Sequence, residues 1–183
     1  MAWNRNPGLV PLSGVSETDP ENKPADPQRA DSVPVTPVDS ASVCQALERM
    51  DLRYQVREYS GNPHMDLVLT GFVDAAISFL CIDGELRCEA RWRGEVPDAQ
   101  AARVLETTRT LNEANFIPAL FVTEGFEANT LAVVARARMP IATGLTTEQL
   151  DNFLVFYLRQ TVSAFATLAR VFPESVDWQD PHA

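Results

Sequence analysis

The stretch from Leu131 to Phe172, LAVVARARMPIATGLTTEQLDNFLVFYLRQTVSAFATLARVF, leaves this chain few folds to choose from. An apolar run ends at Pro140 and Gly144, and Thr146 is followed three residues later by Gln149. A Thr hydroxyl can accept from an early helical N–H while a Gln at that spacing reaches back to the cap, so the pair predicts a helix start. Beyond it, Leu150, Leu154, Tyr157, Leu158, Val162, Phe165, Leu168 and Phe172 recur at three- and four-residue spacing. At about 100° per residue they make one continuous apolar face. That face must lie on a surface, and the strands before the helix are the candidates to supply it.

The clearest turn signal is Asp83-Gly84, which lies between two alternating runs and suits the positive φ angles of a type I′ turn. With these as the two central residues, Ile82 faces Glu85. Val73, Ala75, Ile77, Phe79 and Cys81 then share a core face with Leu86, Cys88, Ala90 and Trp92, and Glu85, Arg87, Glu89, Arg91 and Arg93 share the wet face. Before the hairpin, Val43, Leu47 and Met50 predict a short helix over 40–51 capped by Asp39 or Ser40. Leu52, Tyr54 and Val56 predict a half-buried strand, Gly61–Pro63 a turn, and Met65–Gly71 a weakly paired segment. After the hairpin, Pro97 suits the first turn of a helix that runs to Asn115, stopped by Pro118. Strands over 116–123 and 130–139 follow, joined by a turn containing Gly125. The fold class is α+β: helix, antiparallel strands with an Asp-Gly hairpin, helix, two strands, long C-terminal helix.

Seven of the thirteen prolines fall in residues 1–38, among Ser, Asp, Glu and Asn. This segment reads as a disordered Pro-rich tail that cannot bury enough surface to offset its ordering entropy. Its alternative role is a partner-binding or phosphorylated segment around Thr36-Pro37. The folded domain is expected over 39–173, with a C-terminal tail over 174–183. At 183 residues and 45% hydrophobic content, one core is the default. A net charge of −10 argues against a nucleic-acid footprint, which needs a basic stripe to release phosphate counterions. No run approaches the length of a membrane span and no signal-peptide pattern opens the chain, so a soluble cytoplasmic protein with no membrane association is expected. Cys44, Cys81 and Cys88 show no CxxC spacing and read as buried or incidental, and Cys81 and Cys88, diagonal neighbours on the core face, read as two buried thiols and not a disulfide. Neither a metal site nor a cofactor is indicated. No GxSxG, HExxH or glycine-rich phosphate loop is present, and the chain is read as non-enzymatic.

Over residues 40–173, the run Asn112, Asn115, Pro118, two strands, then Pro140, Gly144, Thr146, Gln149 and Leu150 opening a terminal helix resembles the bacterial YbjN-domain family. The resemblance implies a fold similar to type III secretion chaperones, in which helices cover one face of a curved antiparallel sheet and dimers are common. It also implies a role in sensory transduction, without an established enzymatic activity and without catalytic residues to carry over. The Pro-rich tail departs from the family pattern.

Three sets of residues stand out as candidate sites. Phe156 shares a helix side with Arg159, away from the apolar stripe, and is either covered within the chain or offered to a partner. Trp178 has the same two readings, a docked tail or a motif for another protein. Arg87, Arg91, Arg93, Arg136 and Arg138 could bind an anion, against which Glu85 and Glu89 interleave as on a solvated face. Asn112 and Asn115 could be ligand-binding amides, against which the tolerance of Asn for left-handed geometry at a helix C-cap explains the placement of Asn115 and is the favoured reading. The functional expectation is a chaperone-like regulatory module for an unidentified protein partner, as a homodimer, with an anion sensor using the arginine face as the alternative.

Overall fold

The structure, a computed structural model, describes residues 34–178. The tail read over 1–38 lies outside the described residues up to residue 33. Residues 34–38 are held: Thr36 and Leu145 exchange both backbone hydrogen bonds at 3.0 Å, and Val38 packs on the core. Helix α1 (Ser40–Arg49) starts at Asp39, whose carboxylate accepts from Ser42 N at 2.8 Å. Strands β1 (Gln55–Tyr59), β2 (Asn62–Phe72), β3 (Ala75–Ile82) and β4 (Glu85–Pro97) follow as an antiparallel meander. Helix α2 (Ala101–Ala114), strands β5 (Ala119–Glu124) and β6 (Thr130–Pro140), and helix α3 (Thr147–Val171) complete the order. The six strands form one sheet in the order β1-β2-β3-β4-β6-β5, so the β5–β6 hairpin is attached through β6 to the free side of β4.

The hairpin register is the one the sequence dictates. Asp83 and Gly84 have φ of 54° and 73°, Ile82 pairs with Glu85, and Ala75, Ile77, Phe79 and Cys81 lie opposite Trp92, Ala90, Cys88 and Leu86. All three cysteines are free, and burial pushes the Cys81 thiol up to about 11 and the Cys88 thiol higher still. The capping box at the head of α3 is also formed: Gln149 N donates to Thr146 Oγ1 at 3.1 Å, and Thr146 N to Gln149 Oε1 at 2.9 Å. Leu150, Leu154, Tyr157, Leu158, Phe165, Leu168 and Phe172 are buried against the sheet and its neighbours.

Elsewhere the structure moves the expected boundaries. The turn expected at Gly61–Pro63 falls at Ser60 and Gly61, and β2 begins at Asn62 and pairs with both β1 and β3 along much of its length. Its Pro63, His64, Asp66 and Gly71 break the alternation by which such a strand is recognised. Val56 is exposed because β1 is the sheet edge, and Val73 lies in the β2–β3 turn instead of on the core face. Pro97 ends β4 opposite Thr130, a strand terminus that needs no proline N–H, and α2 starts only after a short 3₁₀ turn at Asp98–Gln100. Asn115 closes α2 in an extended conformation, φ −138° and ψ 132°, so its capping does not use left-handed backbone. Val162 is partly exposed, at the shoulder of α3's apolar stripe.

Asn112 joins helix to sheet. Its side-chain oxygen accepts from Leu120 N at 2.8 Å and its amide donates to Leu120 O at 2.9 Å, standing in for a neighbouring strand at the edge of β5. Removing these partners leaves partly buried backbone groups unpaired. Asn112→Ala is expected to lower stability by about 1–3 kcal/mol in urea unfolding, whereas Asn115→Ala, which releases one amide bond to Leu111 O, is expected to lower it less.

Candidate functional site

Helix α3 lies over the middle of the sheet, while α1 sits over β2 and β3 and α2 over β5. The space between α3 and the α1 side is not filled. Val155, Leu158, Arg159 and Val162 on α3 face Met50 and Leu52, which follow α1, and Phe72 at the end of β2. Together they line an apolar groove of about 460 Å³. Val155 is 38% and Val162 36% exposed, and their seven-residue spacing sets them on one helical row. Arg159 is the only charged residue lining the groove, and it has no carboxylate partner among the described residues.

Of the residues singled out in the sequence, Arg159 is placed in this groove. Phe156, 49% exposed, points outward on the adjoining helix surface and does not line it. Trp178 packs edge-to-face on the fully buried Trp92, with centroids 6.1 Å apart, and so closes the end of the core. It also borders a second depression with Val176, Ala169 and Val162 farther along α3. In the sequence Met50 and Leu52 read only as helix and strand positions and Val155 and Phe72 are unmarked, because the groove arises where elements distant in the chain fail to meet.

The five arginines assigned to anion binding do not converge. Arg87 pairs with Asp83 and with Glu85, each at 3.2 Å, Arg136 with Glu89 at 2.7 Å, and Arg138 with Glu85 at 3.7 Å. Arg91 pairs with Glu95 at 3.6 Å and lies 3.9 Å over the Phe126 ring. Arg93 alone of the five has no carboxylate partner among the described residues. Asn112 and Asn115 are both occupied within the chain. Among the described residues, no group of three or more His, Cys, Asp or Glu could hold a metal ion, and no helix is long and apolar enough to cross a membrane.

Glu95 fixes the far end of the arginine face. It accepts from Phe126 N at 2.7 Å, Glu127 N at 3.0 Å and Thr130 Oγ1 at 2.5 Å, gathering the β5–β6 loop beneath Arg91. Gly125 makes room for this, since a Cβ there would lie 1.9 Å from Thr130 Oγ1 and 2.7 Å from Glu95 Oε2. Burial alone would raise the Glu95 pKa, but the hydroxyl, the two backbone amides and Arg91 outweigh it and hold the group at about 2.

A family model, YbjN, with the description "Putative bacterial sensory transduction regulator", matches residues 39–170, well over half of the chain. Among solved structures, "Crystal structure of YbjN, a putative transcription regulator from E. coli" superposes with a TM-score of 0.60 at 13% identity, covering 76% of this chain and 97% of that one. At that identity the likeness is one of fold. No curated protein matches the chain.

The Glu95 cluster gives a signed pH dependence. Its carboxylate is depressed from 4.5 to about 2, so the stability it contributes is complete above about 4.5 and is lost as pH falls through about 2. Glu95→Gln is expected to lower stability on the order of 2 kcal/mol at pH 7. The difference from the native chain should shrink as pH is lowered from 4.5 toward 2 in pH-resolved urea unfolding.

Proposed function

The chain belongs to the YbjN family, a family of regulators by description, and from that premise we propose that it is a non-enzymatic regulatory module that binds another protein. The α3 groove is the binding surface, and an amphipathic helix of the partner is its occupant. The observation that carries this reading is the groove itself: an apolar trough alongside a long helix, with Val155 and Val162 left partly exposed on one row. A helix laid in such a trough buries side chains at i, i+3, i+4 and i+7, each contributing about 1.5–3 kcal/mol when fully covered.

The single cation in the groove sets the partner's chemistry. Arg159 has no carboxylate partner among the described residues, so an acidic side chain flanking the partner's apolar face would complete it. The same cation argues against a second copy as the occupant, because a twofold α3-to-α3 contact would bring two Arg159 side chains toward each other in a groove without acids. Chaperone-like handling of a partner is consistent with this surface, which offers shape and apolar area and no reacting groups. Phe156, on the adjoining surface, would lie at the rim of the bound helix.

Val155→Asp and Val162→Asp change only the groove wall, and native circular dichroism is expected for both. Tagged protein purified from its native cells should retain a stoichiometric partner, with occupancy reduced tenfold or more in either variant and unchanged in the remote Glu113→Gln. Equal retention by all three would overturn the reading. So would a monomeric chain recovered alone, or a homodimer in light scattering that dissociates on Val162→Asp.

A further inference from the structure

The helix-free face of the sheet is divided electrostatically. Across β4 and β6, Arg87, Arg91, Arg136 and Arg138 are paired with Asp83, Glu85, Glu89 and Glu95. Toward β1 the pattern changes. Arg53, Arg57 and Arg93 border a shallow concavity of about 670 Å³, and among the described residues no Asp or Glu lines it. None of the three has a carboxylate partner among the described residues. Gln55 and Arg57 pair with Leu69 and Leu67, whose side chains alternate with the buried Val68, so both point away from the helices. Glu58, next in sequence to Arg57, falls on the opposite face and cannot neutralise it directly. Glu89, opposite Ser78 on β3, is held by Arg136.

The cations are placed by the backbone rather than scattered. Thr70 Oγ1 donates to the Arg53 carbonyl at 2.7 Å, holding Arg53 against β2 just before the chain enters β1. Arg57 donates to Gln55 Oε1 at 3.1 Å, a neutral acceptor that orients the guanidinium and leaves its charge intact. Arg93 lies on the β4 bulge, where the register passes from Arg91↔Val134 to Glu95↔Ala132, and its N–H is tied to Asp74 O at 2.9 Å. The bulge takes Arg93 out of the ladder of ion pairs. The lining between them includes Gly71 and Ala76, small residues paired across β2 and β3.

We infer that this concavity binds a compact small-molecule polyanion, phosphate or polycarboxylate, clasped by Arg53, Arg57 and Arg93. Guanidinium groups recognise both chemistries by paired N–H donors, and three of them suit a ligand carrying two or more negative charges. In a chain of net charge −10, such a local excess of cation concentrates anions at this one place. Arg93 also borders a depression containing Glu127, Glu174 and Asp177, so it is expected to contribute less than the other two. The concavity shares Phe72 with the α3 groove but none of its three cations lines that groove, so its test is independent of that reading.

Titration calorimetry with inorganic pyrophosphate and with citrate, at low and at physiological salt, tests the assignment on the full chain. Saturable one-site binding is expected, weakened roughly tenfold by Arg53→Gln or Arg57→Gln, severalfold by Arg93→Gln, and unchanged by Arg138→Gln on the same face. Tighter binding of pyrophosphate assigns the ligand to the phosphates, and tighter binding of citrate to the polycarboxylates. No saturable binding of either probe overturns the inference. Weakening by Arg138→Gln equal to that by Arg57→Gln also overturns it, since a general field and not a site would then be responsible.

Discussion

Everything in this fold depends on how closely α3 can approach the sheet. The central strands offer small side chains to it, Cys88 and Ala90 on β4 and Ala135 and Ala137 on β6, while the helix brings Leu154, Tyr157, Leu158 and Phe165. Large on one layer and small on the other fills the space without voids. Tyr157 shows how tight the fit is. Its ring is fully buried at 6.2 Å edge-on from Phe79, and its hydroxyl donates to the Ala135 carbonyl at 3.2 Å. Burial also drives the phenol pKa far upward, so it serves as a neutral donor that satisfies itself on the strand it covers.

This close central contact has a consequence at the margin. A helix seated over β4 and β6 presents its shoulder residues about 100° from the middle of the buried stripe, and Val155 and Val162 occupy that shoulder. Helix α1 cannot follow it there, because α1 is ten residues long and is held over β2 and β3, with Arg49 anchored to Asp151 on α3 at 2.6 Å. Beyond Arg49 the chain turns away into β1. The groove is therefore the gap left when one short and one long helix share a sheet, and its apolar lining continues the core outward.

The parts of the structure legible in the sequence are those set by neighbouring residues. Asp83-Gly84 fixes a turn and thereby a register, and Thr146 with Gln149 fixes a helix start, because both act over a few positions. The face assignments of β3 and β4 followed from parity alone. The bulge between Arg91 and Glu95 sets four residues of β4 against two of β6 and so keeps that parity: Trp92, Gly94 and Val96 are buried while Arg93 is exposed, and Gly94 closes over Trp92, where a Cβ would lie 2.4 Å from the indole ring. Counting along the strand gave Arg93 its face, but it could not give the hydrogen bonds of Glu95 to Phe126, Glu127 and Thr130, which lie more than thirty residues away. Strand β2 was under-read for a different reason, since its polar and breaking residues are tolerated through pairing on both sides. The groove was legible only in Arg159, and the unpaired cations Arg53 and Arg57 looked like the wet side of an ordinary strand.

Strand parity also explains why charge is sorted across the open face. On β4 the outward positions alternate Glu85, Arg87, Glu89 and Arg91, and β6 sets Arg136 opposite Glu89 and Arg138 opposite Arg87, within reach of Glu85. An alternating strand beside a basic one yields a ladder of ion pairs, individually weak in solvent but mutually neutralising. Strand β1 places Gln55 and Arg57 on this face and Glu58 on the other, and β2 beside it offers Leu67, Leu69 and Gly71. The same backbone rule that cancels charge at the centre of the sheet leaves it uncancelled at the edge. A one-residue slip of β1 would exchange Arg57 for Glu58 and erase the imbalance, so the cationic edge is as firmly specified as the β1–β2 register that creates it.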